Sequence, residues 1–183
     1  MLTKNIRDAY TKGVENLKLE VGVKTKSSGI EDRDGYRGTP QLLQAEGQYY
    51  MGNKKLEEEV FGPSTLLVTV PRKSEMLKIA SELDGHLTAT VIGESDEIKE
   101  YADLINILER KVGRLIINGY PTGVEVCHAM VHGGPFPATT DSKTTSVGTR
   151  AITRFTRPIC YQNFPEYLLP KDCLLYTSDA ADE

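Results

Sequence analysis

Between residues 64 and 118 the chain changes periodicity four times in a fixed order. "STLLVTV" is a short apolar run of strand length, and "SEMLKIASELD" spaces its apolar residues like a helix. "HLTATVIG" returns to a strand, "SDEIKEYADLINILERKVG" reads as a longer helix, and "RLIIN" is a third strand. Ser74 is the expected cap of the first helix, Ser95 or Asp96 that of the second, and Gly113 its C-terminal stop. Antiparallel strands need only a tight turn between them. Strands joined through helices by short connections call for parallel pairing with right-handed crossovers. The expected fold class is therefore α/β, a mostly parallel sheet with flanking helices. In such sheets, ligands gather where the carboxyl ends of the strands meet loops and helix starts.

Before this unit, Leu2, Ile6, Tyr10, Val14 and Leu17 recur at helical spacing behind a candidate Thr3 cap. "KTKSSGIEDRDGYRGTP" is rich in Gly, Ser and charge and is expected to be a long surface loop. The length, 183 residues, suits one domain. A formal net charge of −4 with scattered lysines and arginines offers no basic face for nucleic acid. No apolar run reaches the length of a membrane span, and "MLTKNIRDAY" lacks the apolar core of a signal peptide, so a cytoplasmic protein is expected. Cys127, Cys160 and Cys173 form neither an even set nor a Cys-x-x-Cys pair, which fits a reducing compartment.

After "RLIIN" comes "GYPTGVEVCHAMVHGGPFPATTDSKTTS", with too many glycines and prolines for regular structure throughout. It suits a pocket wall or a loop that covers a sheet edge. Cys127, His128 and His132 superficially suggest a thiol–imidazole pair or a metal site. Neighbours on a strand point to opposite faces, and Gly133, Gly134 and Pro135 cut short any helix that would join the two histidines. A packed or pocket-lining role is expected for Cys127, a buried one for Cys160, and a structural one for His86. Val147, Ala151 and Phe155 keep helical spacing despite Gly148, and "RPICYQNF" follows as an extended segment.

Five segments in one order carry a family resemblance: "EEVFGP" before a strand, "DGHLTATV", "GRLIING", "HGGPFPAT" and "SVGTRAITRFTRP". Together they resemble the C-terminal portion of the NAD(P)-dependent aldehyde dehydrogenase superfamily. The stretch from "VEVCHAMV" to "RFTRP" is especially similar to the α-ketoglutaric semialdehyde dehydrogenases. The resemblance implies oxidation of a small aldehyde, α-ketoglutaric semialdehyde, to α-ketoglutarate with NAD or NADP, in a homo-oligomer. On residue type alone, Glu57, Glu58 and Glu59 form a solvated helix end. The resemblance singles out Glu59 as the carboxylate that holds the nicotinamide ribose hydroxyls, with Phe61 beside it. The chemistry suits that assignment, because an ionised carboxylate is acceptor-only and two ribose hydroxyls are donors. One acid can thus orient a ring for hydride transfer. In the late loop, Phe136 is the positional match for an aromatic against the aldehyde chain, with His132 and Pro135 near it. An anionic oxo-acid would want an arginine, and Arg114, Arg150 and Arg154 all remain open for that role, as does simple surface charge.

The family's nucleophilic cysteine, its general base and its oxyanion asparagine have no match in this chain and are expected to lie upstream of Met1. The resemblance thus divides the chain into residues 1–155 of a catalytic domain and a 156–172 edge-strand segment used for oligomerisation. Residues 173–183, "CLLYTSDAADE", match the translation of a transposase-type sequencing adapter and are expected to be a disordered artefact. The isolated chain is expected to be inactive. The competing reading is a short non-catalytic oligomerisation or regulatory partner of a full-length enzyme.

Overall fold

The computed structural model describes residues 1–30, 35–123 and 126–171. The opening helix, α1 (Lys4–Leu19), begins where expected: the Thr3 backbone is extended and its Oγ1 accepts the Ile6 N–H at 3.3 Å. Tyr10, Val14 and Leu17 are buried along one stripe, whereas Leu2, 89% exposed, stands outside the helix and off that stripe. The chain then forms β1 (Lys24–Ser28) and β2 (Gln41–Glu46), paired antiparallel with an irregularity between Thr25 and Ser27. The expected long loop is therefore partly a strand. Lys-Thr-Lys-Ser-Ser has no apolar residue to mark it; backbone pairing to β2, with the Gln41 amide donating to Ser28 Oγ at 2.7 Å, holds it at the sheet edge.

β2 runs parallel to β3 (Ser64–Thr69) and supplies the floor of the first core, with Leu43 fully buried. Leu43 packs with Leu17 and Leu56, and Val23, Tyr50, Val60 and Leu66 close around them. A short helix, α2 (Gly47–Tyr50), and a 3-10 turn, Lys54–Leu56, join β2 to β3. β3 alternates half-buried and exposed residues, since only one face of this sheet is covered.

The second unit is α3 (Lys73–Glu82), β4 (His86–Val91), α4 (Ser95–Glu100), α5 (Ala102–Leu108) and β5 (Val112–Ile117). β4 and β5 are parallel. Among the described residues they form their own two-stranded sheet, separate from β1–β2–β3, so the parallel strands lie in two sheets rather than one. Ala80, Leu104 and Leu108 form its core with Leu77, Val91 and Leu115 around them.

Local details depart from expectation for identifiable reasons. The α3 cap is Arg72, which reaches Glu75 at 2.6 Å; Ser74 falls inside the first turn. The long helix is two, because α4 tightens at its end, with the Tyr101 N–H bonded to Ile98 O at 3.0 Å. Its cap is Glu94, in a reciprocal box with Glu97. Gly113 is not a helix stop but a residue of β5. A side chain there would occupy the space held by the Gly133 carbonyl, so the late loop can lie directly on this strand.

Beyond β5 regular structure is sparse. Val147, Ala151 and Phe155 give only a 3-10 turn, Ala151–Phe155, with Phe155 83% exposed; Gly148, at φ +93°, prevents an earlier helical start. Residues 156–171 contain a 3-10 turn, Glu166–Leu168, and no strand among the described residues. Cys160 is exposed rather than buried, since no element packs over this segment. The 173–183 tail lies outside the described residues. Among the described residues, no helix is long and apolar enough to cross a membrane.

Candidate functional site

The approach to β3 is built from a capped turn. Asn53 Oδ1 accepts the Lys55 N–H at 3.2 Å, and Leu56 drives the turn into the first core. The three glutamates that follow, identical in chemistry, meet three environments. Glu57 ends the turn and pairs with Lys54 Nζ at 2.8 Å, its side chain only 12% exposed, so it is not part of a solvated end. Glu58 is exposed and lies within the field of Lys55. Glu59 is exposed and makes no hydrogen bond or ion pair among the described residues. Val60 then turns inward to the core, and Phe61 stands 70% exposed.

α1 forms the opposite wall. It approaches closely at Gly13, where an added Cβ would lie 3.0 Å from a Val60 methyl. Its end is tied to the turn by Glu20, which receives Lys55 Nζ at 2.9 Å and Asn53 Nδ2 at 3.0 Å. The Lys55 and Asn53 hydrogen bonds hold the Glu20 carboxyl below the usual carboxylate range. Between the walls lies a cleft of about 800 Å³ lined by Tyr10, Gly13 and Leu17 on one side and Glu58, Glu59 and Phe61 on the other. A neighbouring cleft of about 580 Å³, bounded by Leu66, shares Glu59 and Phe61. The two sequence-selected residues thus face one open groove. Its acidic, acceptor-only side chain beside an exposed aromatic suits a ligand that offers paired hydroxyls and a flat ring.

The late loop builds a different place. Gly133 and Gly134 lie across the starts of β5 and β4, with Gly134 against the His86 carbonyl and Pro135 O over Gly85. The His132 N–H and Nδ1 meet Thr145 Oγ1 at 3.3 and 3.4 Å, and that hydroxyl donates to Val147 O at 3.0 Å. Because the Thr145 proton is committed, Nδ1 carries the donating hydrogen and Nε2 is the buried nitrogen without a partner. His132 lines a cavity of about 200 Å³ with Thr139, Thr145, Asp141 and Arg154. Of the other residues selected for the aldehyde chain, Pro135 is half-buried by its contact with Gly85, and Phe136 is 78% exposed and lines neither this cavity nor the Glu59 groove. The groove and the late-loop cavity share no residue.

The remaining candidates separate cleanly. Arg114 is spent on the loop after β5, donating to Pro121 O at 2.9 Å and Gly123 O at 3.5 Å. Arg150 is exposed, and Arg154 alone of the three lines the late-loop cavity. His128 Nδ1 meets Thr149 Oγ1 at 3.1 Å, so the two loop histidines are bonded to different threonines. Cys127 is half-buried, and His86 is exposed. One residue escaped the sequence reading: Asn118, at φ +50°, bonds both backbone groups of Gly93 at 2.9 Å and so ties together the carboxyl ends of β4 and β5. The Asn-Gly pair after a strand was its available signal.

Comparison with known proteins places this geometry. No protein-family model matches the chain. It is 46% identical over 171 residues to the α-ketoglutaric semialdehyde dehydrogenase of Acinetobacter baylyi, an alignment covering 93% of this chain and 32% of that protein. It is 44% identical over 171 residues to α-ketoglutaric semialdehyde dehydrogenase 2 of Azospirillum brasilense, covering 93% and 33%. The chain thus spans about a third of the length of these curated relatives. In fold it is similar to Δ-pyrroline-5-carboxylate dehydrogenase from Mycobacterium tuberculosis, with a TM-score of 0.64 at 16% identity over 93% of this chain and 32% of that one. Betaine aldehyde dehydrogenase from Staphylococcus aureus, solved with NAD+, gives a TM-score of 0.60 at 18% identity over 85% and 29%. By sequence over most of its length, and by fold, the chain matches part of an aldehyde dehydrogenase, about a third of a member's length.

Proposed function

We propose that the chain is part of an enzyme that oxidises α-ketoglutaric semialdehyde to α-ketoglutarate with NAD or NADP, and that Glu59 and Phe61 hold the nicotinamide ribose. The observation that carries this reading is the groove: Glu59, exposed and without a protein partner among the described residues, shares it with exposed Phe61. The 46% identity to an α-ketoglutaric semialdehyde dehydrogenase supports the substrate assignment. The cofactor supplies the hydride acceptor. This chain's part is to accept the two ribose hydroxyls on the Glu59 carboxylate and to set the ring's height against Phe61. Holding the reacting atoms in near-attack geometry lowers the barrier without any new covalent chemistry. Residues 1–155 belong to the catalytic domain on this reading. The 156–172 segment, with Ile159 61% and Tyr167 85% exposed, serves as an edge that joins a neighbouring subunit of a cytoplasmic homo-oligomer.

Two measurements test it. The isolated chain should oxidise no aldehyde, because no residue here matches the family's nucleophile or base; turnover by the purified chain would overturn the reading. In a chimera carrying residues 1–171 in place of the matching third of the Acinetobacter baylyi enzyme, Glu59→Gln should slow hydride transfer more than it weakens cofactor binding. Charge-assisted hydrogen bonds are roughly twice as strong as neutral ones, so losing that assistance across two hydroxyls costs on the order of 1–3 kcal/mol. About 1.4 kcal/mol is tenfold in rate. Single-turnover kinetics separates the steps. An effect from Glu58→Gln with none from Glu59→Gln would shift the register by one residue, and no effect from either would leave both carboxylates as solvated surface.

A further inference from the structure

We infer that the late-loop cavity, bounded by His132, residues 139–141 and 144–146, and Arg154, binds the carboxylate of the oxo-acid substrate; this rests on the substrate reading above and names its anionic anchor. Two observations converge on the cavity. First, its wall is built of hydroxyls, and those of Thr140, Thr144 and Ser146 are committed to no hydrogen bond among the described residues. Second, Arg154 lines it and forms no ion pair among the described residues, whereas Arg114 is spent on loop carbonyls. Asp141 lines the same cavity without pairing with Arg154, because its Oδ1 accepts the Lys143 N–H at 2.9 Å and is turned to its own backbone. His132 also lines the cavity, but with its hydrogen on Nδ1 its Nε2 is an acceptor and offers a carboxylate no bond. A guanidinium with free donors matches a carboxylate's two oxygens.

Size narrows the ligand. The cavity measures about 200 Å³. At about 30 Å³ for each liquid water, that admits a carboxylate and the first carbons of its chain, and excludes a dinucleotide. The cavity shares no residue with the Glu59 groove, so substrate anion and cofactor ribose have separate seats on this chain.

The test uses the chain itself, without cofactor or aldehyde, so its outcome is independent of whether Glu59 serves hydride transfer. Amide and threonine-methyl resonances are followed by NMR during titration with 2-oxoglutarate, with propionate, and with the neutral isostere propionamide. Saturable shifts confined to residues 132–146 and 154, produced by both carboxylates and not by propionamide, are expected. Arg154→Gln should weaken 2-oxoglutarate binding at least tenfold, and Arg154→Lys should restore part of it. If Arg154→Gln loses its dispersed spectrum, the Thr144→Ala, Ser146→Ala double variant is judged by the same tenfold criterion. The inference is overturned by any of three results: no saturable shift, equal binding of propionamide, or affinity unchanged in the variants. Loss of carboxylate binding with an intact Glu59→Gln effect in the chimera would sink the anchor and spare the redox reading, and the reverse pattern would do the opposite.

Discussion

Removing one oxygen atom from Tyr10 tests how α1 is fastened to the sheet and how the Glu59 groove keeps its back wall. Tyr10 is 4% exposed, and its hydroxyl donates to Thr39 O at 2.7 Å, with Pro63 O at 3.2 Å as a second acceptor. In Tyr10→Phe, Pro63 O keeps the Gln41 N–H at 2.9 Å, but Thr39 O loses its bond. The loss is one net hydrogen bond plus a half-buried carbonyl left without a partner, about 1–2 kcal/mol together. Urea slopes for small proteins are about 1–3 kcal/mol per molar, so the midpoint should fall by roughly 0.5–1 M. A pH dependence follows from the same geometry. Burial raises the Tyr10 phenol above its ordinary value of 10.0. Its contribution is therefore complete below that ordinary value and is lost as pH rises through the raised one. Phenylalanine has no such proton to lose. The stability gap between the parent chain and Tyr10→Phe should be constant from pH 7 to 9 and close above about pH 10. Tyr50, also raised by burial, is common to both chains and cancels. Equal midpoints at pH 7, or a gap that stays open at alkaline pH, would refute the hydroxyl's role.

Leu43 is fully buried, so Leu43→Ala should cost about 2–5 kcal/mol, read as a lower urea midpoint with an unchanged slope. Gly113→Ala should disturb the late loop more than the strand, since the displaced group is the Gly133 carbonyl. Hydrogen exchange at residues 131–146 should quicken severalfold while the β4–β5 amides change little, and exchange unaltered in both would show that the loop does not rest on this glycine.

Much of the fold was legible because its apolar residues repeat locally. Tyr10, Val14 and Leu17 mark α1 at 3.6-residue spacing, and β3, β4 and β5 announce themselves as apolar runs between turn residues. β1 and β2 were not legible. Lys24–Ser28 carries no apolar residue at all, and in Gln41–Glu46 only Leu43 and Ala45 face the core, too few for a pattern. Their strand character comes from pairing with each other and with β3, an interaction across the sheet that no local window contains.

The candidate site divides in the same way. Residue type alone made Glu57, Glu58 and Glu59 equivalent; resemblance singled out Glu59, and the structure distinguishes the three by their neighbours, Lys54 for the first and Lys55 for the second. Conversely, Gly113 had a sound local reading as a helix stop, and that reading failed because its cause is a carbonyl twenty residues further along the chain. Glycine serves both uses for the same reason, the missing Cβ, so its identity cannot say which use applies. The same limit governs the three arginines. Each is a cation in a loop-rich stretch, yet Arg114 is consumed by backbone carbonyls while Arg154, at a hydroxyl-lined cavity, keeps its donors free among the described residues. A side chain's chemistry follows from its identity, but its availability for a ligand depends on what the rest of the fold has already asked of it.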